Sequence, residues 1–351
     1  MKYRPIYSQF LSNPIAKEVF SDPGRTLNSL TQKWNEPWRF FHTIENHLRP
    51  MLEGINAIED VRRRSFLELV AWFHDSVYDP KALDNETKSA EYFESQLRYK
   101  TDVSISISKL ILLTADYTNL SNERSAKFAE FDLVSLRNVS TLQMIQNERL
   151  LLKEFQFADY SVYKKRRVEF LENMKKVPMV SKLNIKTIDT ICEYLESTRP
   201  RIAIYPGSFN PFHIGHLSVL KEAEKLFDKV IVAVGVNPQK EHPVQQVLDN
   251  LKDVLPYHQT ELFKGFLHKY AEEKSKDADI TIIRGFRSGY DIDAELINLA
   301  FMRDMSKDLK VVFIAPQKSL DHVSSSAIRQ IQSFNLSECK KYLPETYFPS
   351  A

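Results

Sequence analysis

Two apolar rhythms run along this chain. Up to about residue 197, apolar positions recur at helical spacing. Phe66, Leu67, Leu69, Val70, Trp72 and Phe73 give the stretch Arg62–Phe73 a broad buried face, as an amphipathic helix requires. The same spacing predicts helices over Glu86–Leu97, Ser104–Leu113, Leu142–Phe157, Tyr163–Met174 and residues 183–196, with Glu36-Pro37 opening an earlier one. From Arg201 onward, short, largely apolar β-prone runs take over: Ile202–Tyr205, Lys229–Val236, Asp279–Ile283 and Lys310–Ala315. Runs of that length, bounded by Pro and Gly, predict strands buried on both faces of a parallel sheet. Helical stretches separate them, from His216 to Phe227 and over about Val244–Phe263.

Glycine placement marks the same division. Only Gly24 and Gly54 precede residue 200, whereas Gly207, Gly215, Gly235, Gly265, Gly285 and Gly289 follow it. Long helices tolerate few glycines, and loops that approach phosphates need them. The polar stretch Ser197-Thr-Arg-Pro200 is the expected linker. The expectation is an all-α bundle over residues 1–197 and an α/β, Rossmann-like domain with a parallel sheet over residues 199–351.

Composition narrows the function classes. A chain of 351 residues with 43% hydrophobic content can bury two cores. Lys+Arg 48 against Asp+Glu 46 leaves +2, which argues against a nucleic-acid partner. No apolar run reaches transmembrane length, and Met1-Lys-Tyr-Arg-Pro5 lacks a signal-peptide core, so a cytoplasmic protein without a membrane partner is expected. Cys192 and Cys339 are too few for a disulfide framework or a zinc site.

The chemistry of the second domain gathers around Tyr205-Pro-Gly-Ser-Phe-Asn-Pro-Phe-His-Ile-Gly-His216. A strand, a tight turn and a helix start present backbone N–H groups and a helix dipole to an anion. His213 and His216 are three apart and can meet nucleotide phosphates together, neutral or positive near pH 7. Lys240 follows the second strand, where open α/β sheets carry their active sites. Arg284-Gly-Phe-Arg287 follows the third, offering planar phosphate donors. Ser324, Ser325 and Ser326 stand at another helix start.

In this order the motifs resemble the HxGH nucleotidyltransferases, most closely phosphopantetheine adenylyltransferase, over about residues 201–335. The resemblance implies that Ser208, Phe209, His213, His216, Arg287, Glu295 and Ser324–Ser326 contact ATP. It implies that Ser208, Lys240, Arg284 and Met302 meet a phosphorylated small-molecule acceptor, with His216, Lys240 and Arg287 catalytic. ATP would arrive with Mg2+, and the protein would self-associate. His213-Ile214 stands where that family usually carries Thr-Asn, Asn210 where it favours aspartate, and Arg303-Asp304 where Asn-Arg is expected. These departures keep other acceptors in view: nicotinamide or nicotinate mononucleotide, or a polyol phosphate with CTP.

In the first domain the candidates are His42, His47, the pair His74-Asp75, and Asp132. A mixed imidazole and carboxylate set suits a divalent metal such as Mn2+, Fe2+ or Co2+, or Mg2+. Such an ion activates water and stabilises a phosphoryl transition state. Arg39–His47, Ala71–Pro80, Asp84–Ala90 and Phe131-Asp-Leu133 together resemble a family of small predicted metal-dependent HD-superfamily phosphohydrolases, over most of residues 30–195. The resemblance implies a first histidine, then His74, Asp75 and Asp132, as ligands. The spacing of His42 and His47 is one residue longer than that pattern, so both stay candidates, with His47 preferred. Thr114-Ala-Asp116 stands where a threonine followed shortly by a histidine is expected. That departure motivates the alternative of a nucleotide-sensing module without turnover.

Overall fold

The computed structural model describes residues 4–117, 123–137, 139–177, 185–236, 244–287 and 289–347. Contacts divide the chain into two units, one of residues up to 154 with 166–196, the other of residues 155–165 with those from 197. Segment 155–165 lies in the region expected to belong to the first domain, yet it packs with the second unit. There Lys229 Nζ donates to the Ala158 carbonyl, and Lys274 Nζ lies 2.9 Å from Asp159 Oδ2. Periodicity alone carries no record of such distant partners.

The first unit is helical, and its centre is the helix Val61–Phe73, opened by Asp60, whose side chain accepts from Arg63 N. Every residue from Ser65 to Phe73 is buried, as befits a helix apolar on nearly all sides. Around it pack residues of Pro23–Trp34, Asn85–Ser95, Asp102–Leu113 and Glu123–Asp132, including Trp34, Phe93, Ile111 and Phe128. Each such side chain contributes about 1.5–3 kcal/mol by leaving water. Glu36-Pro37 does not open a helix. Residues 35–43 are irregular, and a π-helix follows over Ile44–Leu48. The N–H groups of 40–42 are taken by a distant side chain, which removes the reason for a helix there.

The second unit is a parallel five-stranded sheet: β1 Arg201–Gly207, β2 Lys229–Val236, β3 Gln259–Lys264, β4 Asp279–Gly285 and β5 Val311–Ile314. The order is β3-β2-β1-β4-β5, a Rossmann-like arrangement. Four apolar runs marked four strands; β3 is the correction. The expected helix Val244–Phe263 ends at Val254, and Gln259-Thr-Glu-Leu-Phe-Lys264 forms an edge strand. An edge strand is only half enclosed, so its polar residues hide it from a search for apolar runs. Alternation sends Ala203, Tyr205, Val230, Val232 and Ile283 into one core and Ile204, Ala233 and Ile282 into the other. Between β1 and β4 the strand order reverses direction, which opens a crevice beyond their carboxyl ends. Among the described residues no helix is long and apolar enough to cross a membrane.

Candidate functional site

At that switch point lies a cavity of about 400 Å³. Its walls bring together Ser208, Phe209, His213, His216, Arg284, Arg287, Glu295 and Ser324–Ser326, residues spread over more than a hundred positions of sequence. Lys240 falls outside the described residues. Met302 is half-buried on the helix Gly289–Met305 and is not one of the residues lining the cavity.

The loop after β1 is tightly constrained. Phe209 has φ +44° and is buried, a left-handed conformation that costs of order 1–3 kcal/mol for a bulky residue. Its ring would lie 2.7 Å from a Cβ at Gly207, so only glycine fits there. The turn delivers the chain to the helix Ile214–Leu226, whose N-cap is His213. His213 Nδ1 accepts from Gly215 N at 3.1 Å and His216 N at 3.4 Å, and His216 Nδ1 accepts from His213 N at 3.3 Å. An imidazole nitrogen that accepts carries no proton, so both rings hold theirs on Nε2. Burial, then the Arg287 charge, lowers His213 to about 4. Burial, His213 and Arg287 hold His216 well below its ordinary value. The pair is therefore a set of neutral donors, and the positive charge beside it comes from Arg287.

Arg284 does not stand free in the cavity. Its Nε and Nη2 lie 2.7 and 2.5 Å from the two oxygens of Glu295, a bidentate pair. Arg287 Nη1 donates to the Val323 carbonyl at 3.2 Å, which places its head beside the next helix start. There Ser324 caps the helix Ser325–Phe334 by accepting from Ala327 N, while Ser325 Oγ donates to the Pro211 carbonyl at 2.9 Å. The serines thus build the opening turn and tie it to the first loop. The turn's backbone N–H groups are its anion donors.

The helical unit gathers a second constellation. His74 and Asp75 end the central helix, and Asp132 ends Glu123–Asp132. His47 arrives on the π-helix, where Leu48 N reaches back to Thr43 O. A π-turn holds one residue more than an α-turn, and His47 lies within it while His42 precedes it. His47 Nε2 lies 2.9 Å from Asp132 Oδ1 and 3.6 Å from Asp75 Oδ2; His74 Nε2 lies 3.2 Å from each carboxylate. Yet among the described residues neither nitrogen of His47 nor Nε2 of His74 has a hydrogen-bond partner. Close approach without hydrogen-bond alignment is how ligand atoms sit round a cation. Burial alone would raise Asp132 and lower His74. The charges of Asp75 and then Asp132 outweigh it at His74, holding that ring well above its ordinary value, while His74 and His47 hold the Asp132 carboxyl well below the usual range.

His42 offers a ligand atom within 4.8 Å of those of His47 and Asp75, its Nδ1 facing Glu154 Oε2 at 2.7 Å, and Tyr78 OH donates to the same oxygen; Arg39, Tyr78, Tyr117 and Glu154 were missed by sequence reasoning. Tyr117 OH donates to Asp132 Oδ2, and the fully buried Arg39 donates to the Asp75 carbonyl at 2.8 Å. Arg39 and Tyr78 stood inside the segments that carry the resemblance and could have been suspected; Glu154 carried no local signal.

The family described as cytidylyltransferase-like matches residues 204–331, all within the α/β unit. The phosphopantetheine adenylyltransferase of Clostridium perfringens is 34% identical over 150 residues, covering 41% of this chain and 89% of that protein. Its namesake in Clostridium novyi is 36% identical over 146 residues, 38% of this chain and 84% of that protein. The one from Neisseria meningitidis serogroup C is 35% identical over 136 residues, 37% of this chain and 78% of that protein. By its α/β unit, the chain belongs to the cytidylyltransferase-like family, alongside the phosphopantetheine adenylyltransferases.

Proposed function

We propose that the α/β unit transfers an adenylyl group from ATP to 4′-phosphopantetheine, forming dephospho-coenzyme A and pyrophosphate as a step of coenzyme A biosynthesis. The observation that carries this reading is the convergence of two neutral imidazole donors, Arg287 and a helix start on one switch-point cavity. An oxygen of the acceptor phosphate attacks the α-phosphorus of ATP in line. The bond from that phosphorus to the oxygen bridging to the β-phosphate breaks, and pyrophosphate leaves with the electron pair. ATP enters as its Mg2+ complex. Nε2–H groups of His213 and His216, Arg287 and Lys240 position the phosphates and balance developing charge, and no protein nucleophile is required. Arg284 and Met302 are assigned to the acceptor side.

The test is incubation of the full chain with Mg2+, ATP and 4′-phosphopantetheine, with both products followed by mass spectrometry. The expected result is formation of both, lost in His216→Ala. Turnover only with nicotinate or nicotinamide mononucleotide, or only with CTP and a polyol phosphate, would replace the acceptor and leave the transfer chemistry standing. The Arg284–Glu295 pair and Arg303-Asp304 after Met302 are what favour that second reading.

For the helical unit the proposal is an HD-type, metal-dependent phosphohydrolase, which would make the protein bifunctional. The orphaned nitrogens of His47 and His74 beside two carboxylates support it. His47, His74, Asp75 and Asp132 would hold the ion, with Tyr117 steadying Asp132. A bound divalent cation supplies Lewis acidity to a phosphate ester. Stoichiometric metal in the purified chain, lost in His74→Ala, is expected; nucleotide binding without hydrolysis would make the unit a sensor.

A further inference from the structure

Glu154 ends the helix Thr141–Glu154, and its side chain is fully buried. Oε1 accepts the backbone N–H groups of Phe40, Phe41 and His42, each at 2.8 Å. Oε2 accepts the Tyr78 hydroxyl at 2.9 Å and faces His42 Nδ1 at 2.7 Å. Five contacts saturate one carboxylate, which when ionised can only accept. The hydrogen between Glu154 and His42 therefore sits on Nδ1, and a ring that carries no second proton leaves Nε2 bare for a cation. His74 repeats the arrangement with a backbone partner, its Nδ1 lying 3.0 Å from the Ala71 carbonyl. His42, His47 and Asp75 each offer a ligand atom within 4.8 Å of the others.

We propose that Glu154 is a positioning residue that makes His42 a ligand of the helical unit's metal centre, by pinning residues 40–42 and fixing the His42 tautomer. The inference rests on reading that cluster as a metal centre. His42 and His47 then cease to be alternatives. The π-turn brings His47 in from one side, and the Glu154 clamp presents His42 from the other. A carboxylate behind a ligating imidazole also raises its basicity, and losing such a partner typically weakens metal affinity about 10–100-fold.

Glu154→Gln separates positioning from scaffolding. The amide oxygen can still accept from residues 40–42, but the amide NH2 now meets Nδ1 as a donor, which drives the ring hydrogen to Nε2. Co2+ is titrated into the full-length protein and followed by calorimetry and by its visible absorption. Glu154→Gln and His42→Ala should each weaken Co2+ binding about 10–100-fold, and the double variant should bind no more weakly than either. Trp34, Trp38 and Trp72 all lie in this unit, so native fluorescence shows that a variant is folded. Wild-type affinity in folded Glu154→Gln, or in His42→Ala, overturns the proposal. Should Glu154→Gln not fold, the 15N shifts of His42 in the wild type decide, since a neutral ring protonated on Nε2 and bare at Nδ1 overturns it equally. A wild-type chain that takes up no Co2+ is a different failure, that of the metal reading itself.

Discussion

Acidification charges His213 only at the expense of the helix it caps. A proton on Nδ1 removes the acceptor of the Gly215 and His216 N–H groups and sets a cation beside Arg287. In an unfolded chain a histidine titrates near 6.5, whereas burial and Arg287 hold this one at about 4. The unfolded chain takes up the proton first. The stability present above about pH 6.5 therefore declines as the pH falls, and the decline ends near pH 4. A gap of roughly 2.5 units corresponds to about 3 kcal/mol, and His216 adds in the same direction. All three tryptophans report on the helical unit, so fluorescence would miss the effect. The assay is urea unfolding between pH 7.5 and 4.5, each sample given a deuterium pulse at one fixed pH, with peptides of β1 and β2 weighed. His213→Asn supplies a cap that does not titrate, and comparison with it isolates this histidine from the carboxylates. The expected outcome over this range is a decline shallower by about 2.5 kcal/mol in the variant. Parallel declines in the two proteins would refute the reasoning.

Two further outcomes test the same cavity. A Cβ at Gly215 would lie 3.0 Å from the His213 ring; Gly215→Ala should therefore weaken ATP binding about tenfold by calorimetry, although alanine is the better helix former by about 1 kcal/mol. Glu295→Gln removes the charge that holds Arg284, so initial-rate kinetics should show a severalfold lower KM for the phosphorylated acceptor with the KM for ATP unchanged. A rise in the KM for ATP instead would put Glu295 on the nucleotide.

Much of the α/β unit was legible because its signals are local. A buried parallel strand must be apolar on both faces, so β1, β2 and β4 announce themselves as runs; β5 is an edge strand that is apolar all the same, with Val312 exposed. A turn that brings backbone to an anion must carry its glycines and its cap side by side, so residues 205–216 read as one sentence of chemistry. In the helical unit the buried run Ser65–Phe73 and the His74-Asp75 pair at its end were legible for the same reason.

What the sequence by itself determined, then, is the helix or strand character of the strongly periodic segments, and which side chains could act on phosphates or metal. Tertiary structure decided the rest. It made Gln259–Lys264 an edge strand, gave segment 155–165 to the second unit, paired Arg284 with Glu295 and set Glu154 behind His42, 112 residues away. It also set the protonation of His213 and His216, because a neutral ring there follows from burial and neighbouring charge. Periodicity records only how a residue relates to those within a turn or two of it. Desolvation, a tautomer, or a carboxylate shared among three backbone N–H groups depends on atoms that meet only when the chain has folded.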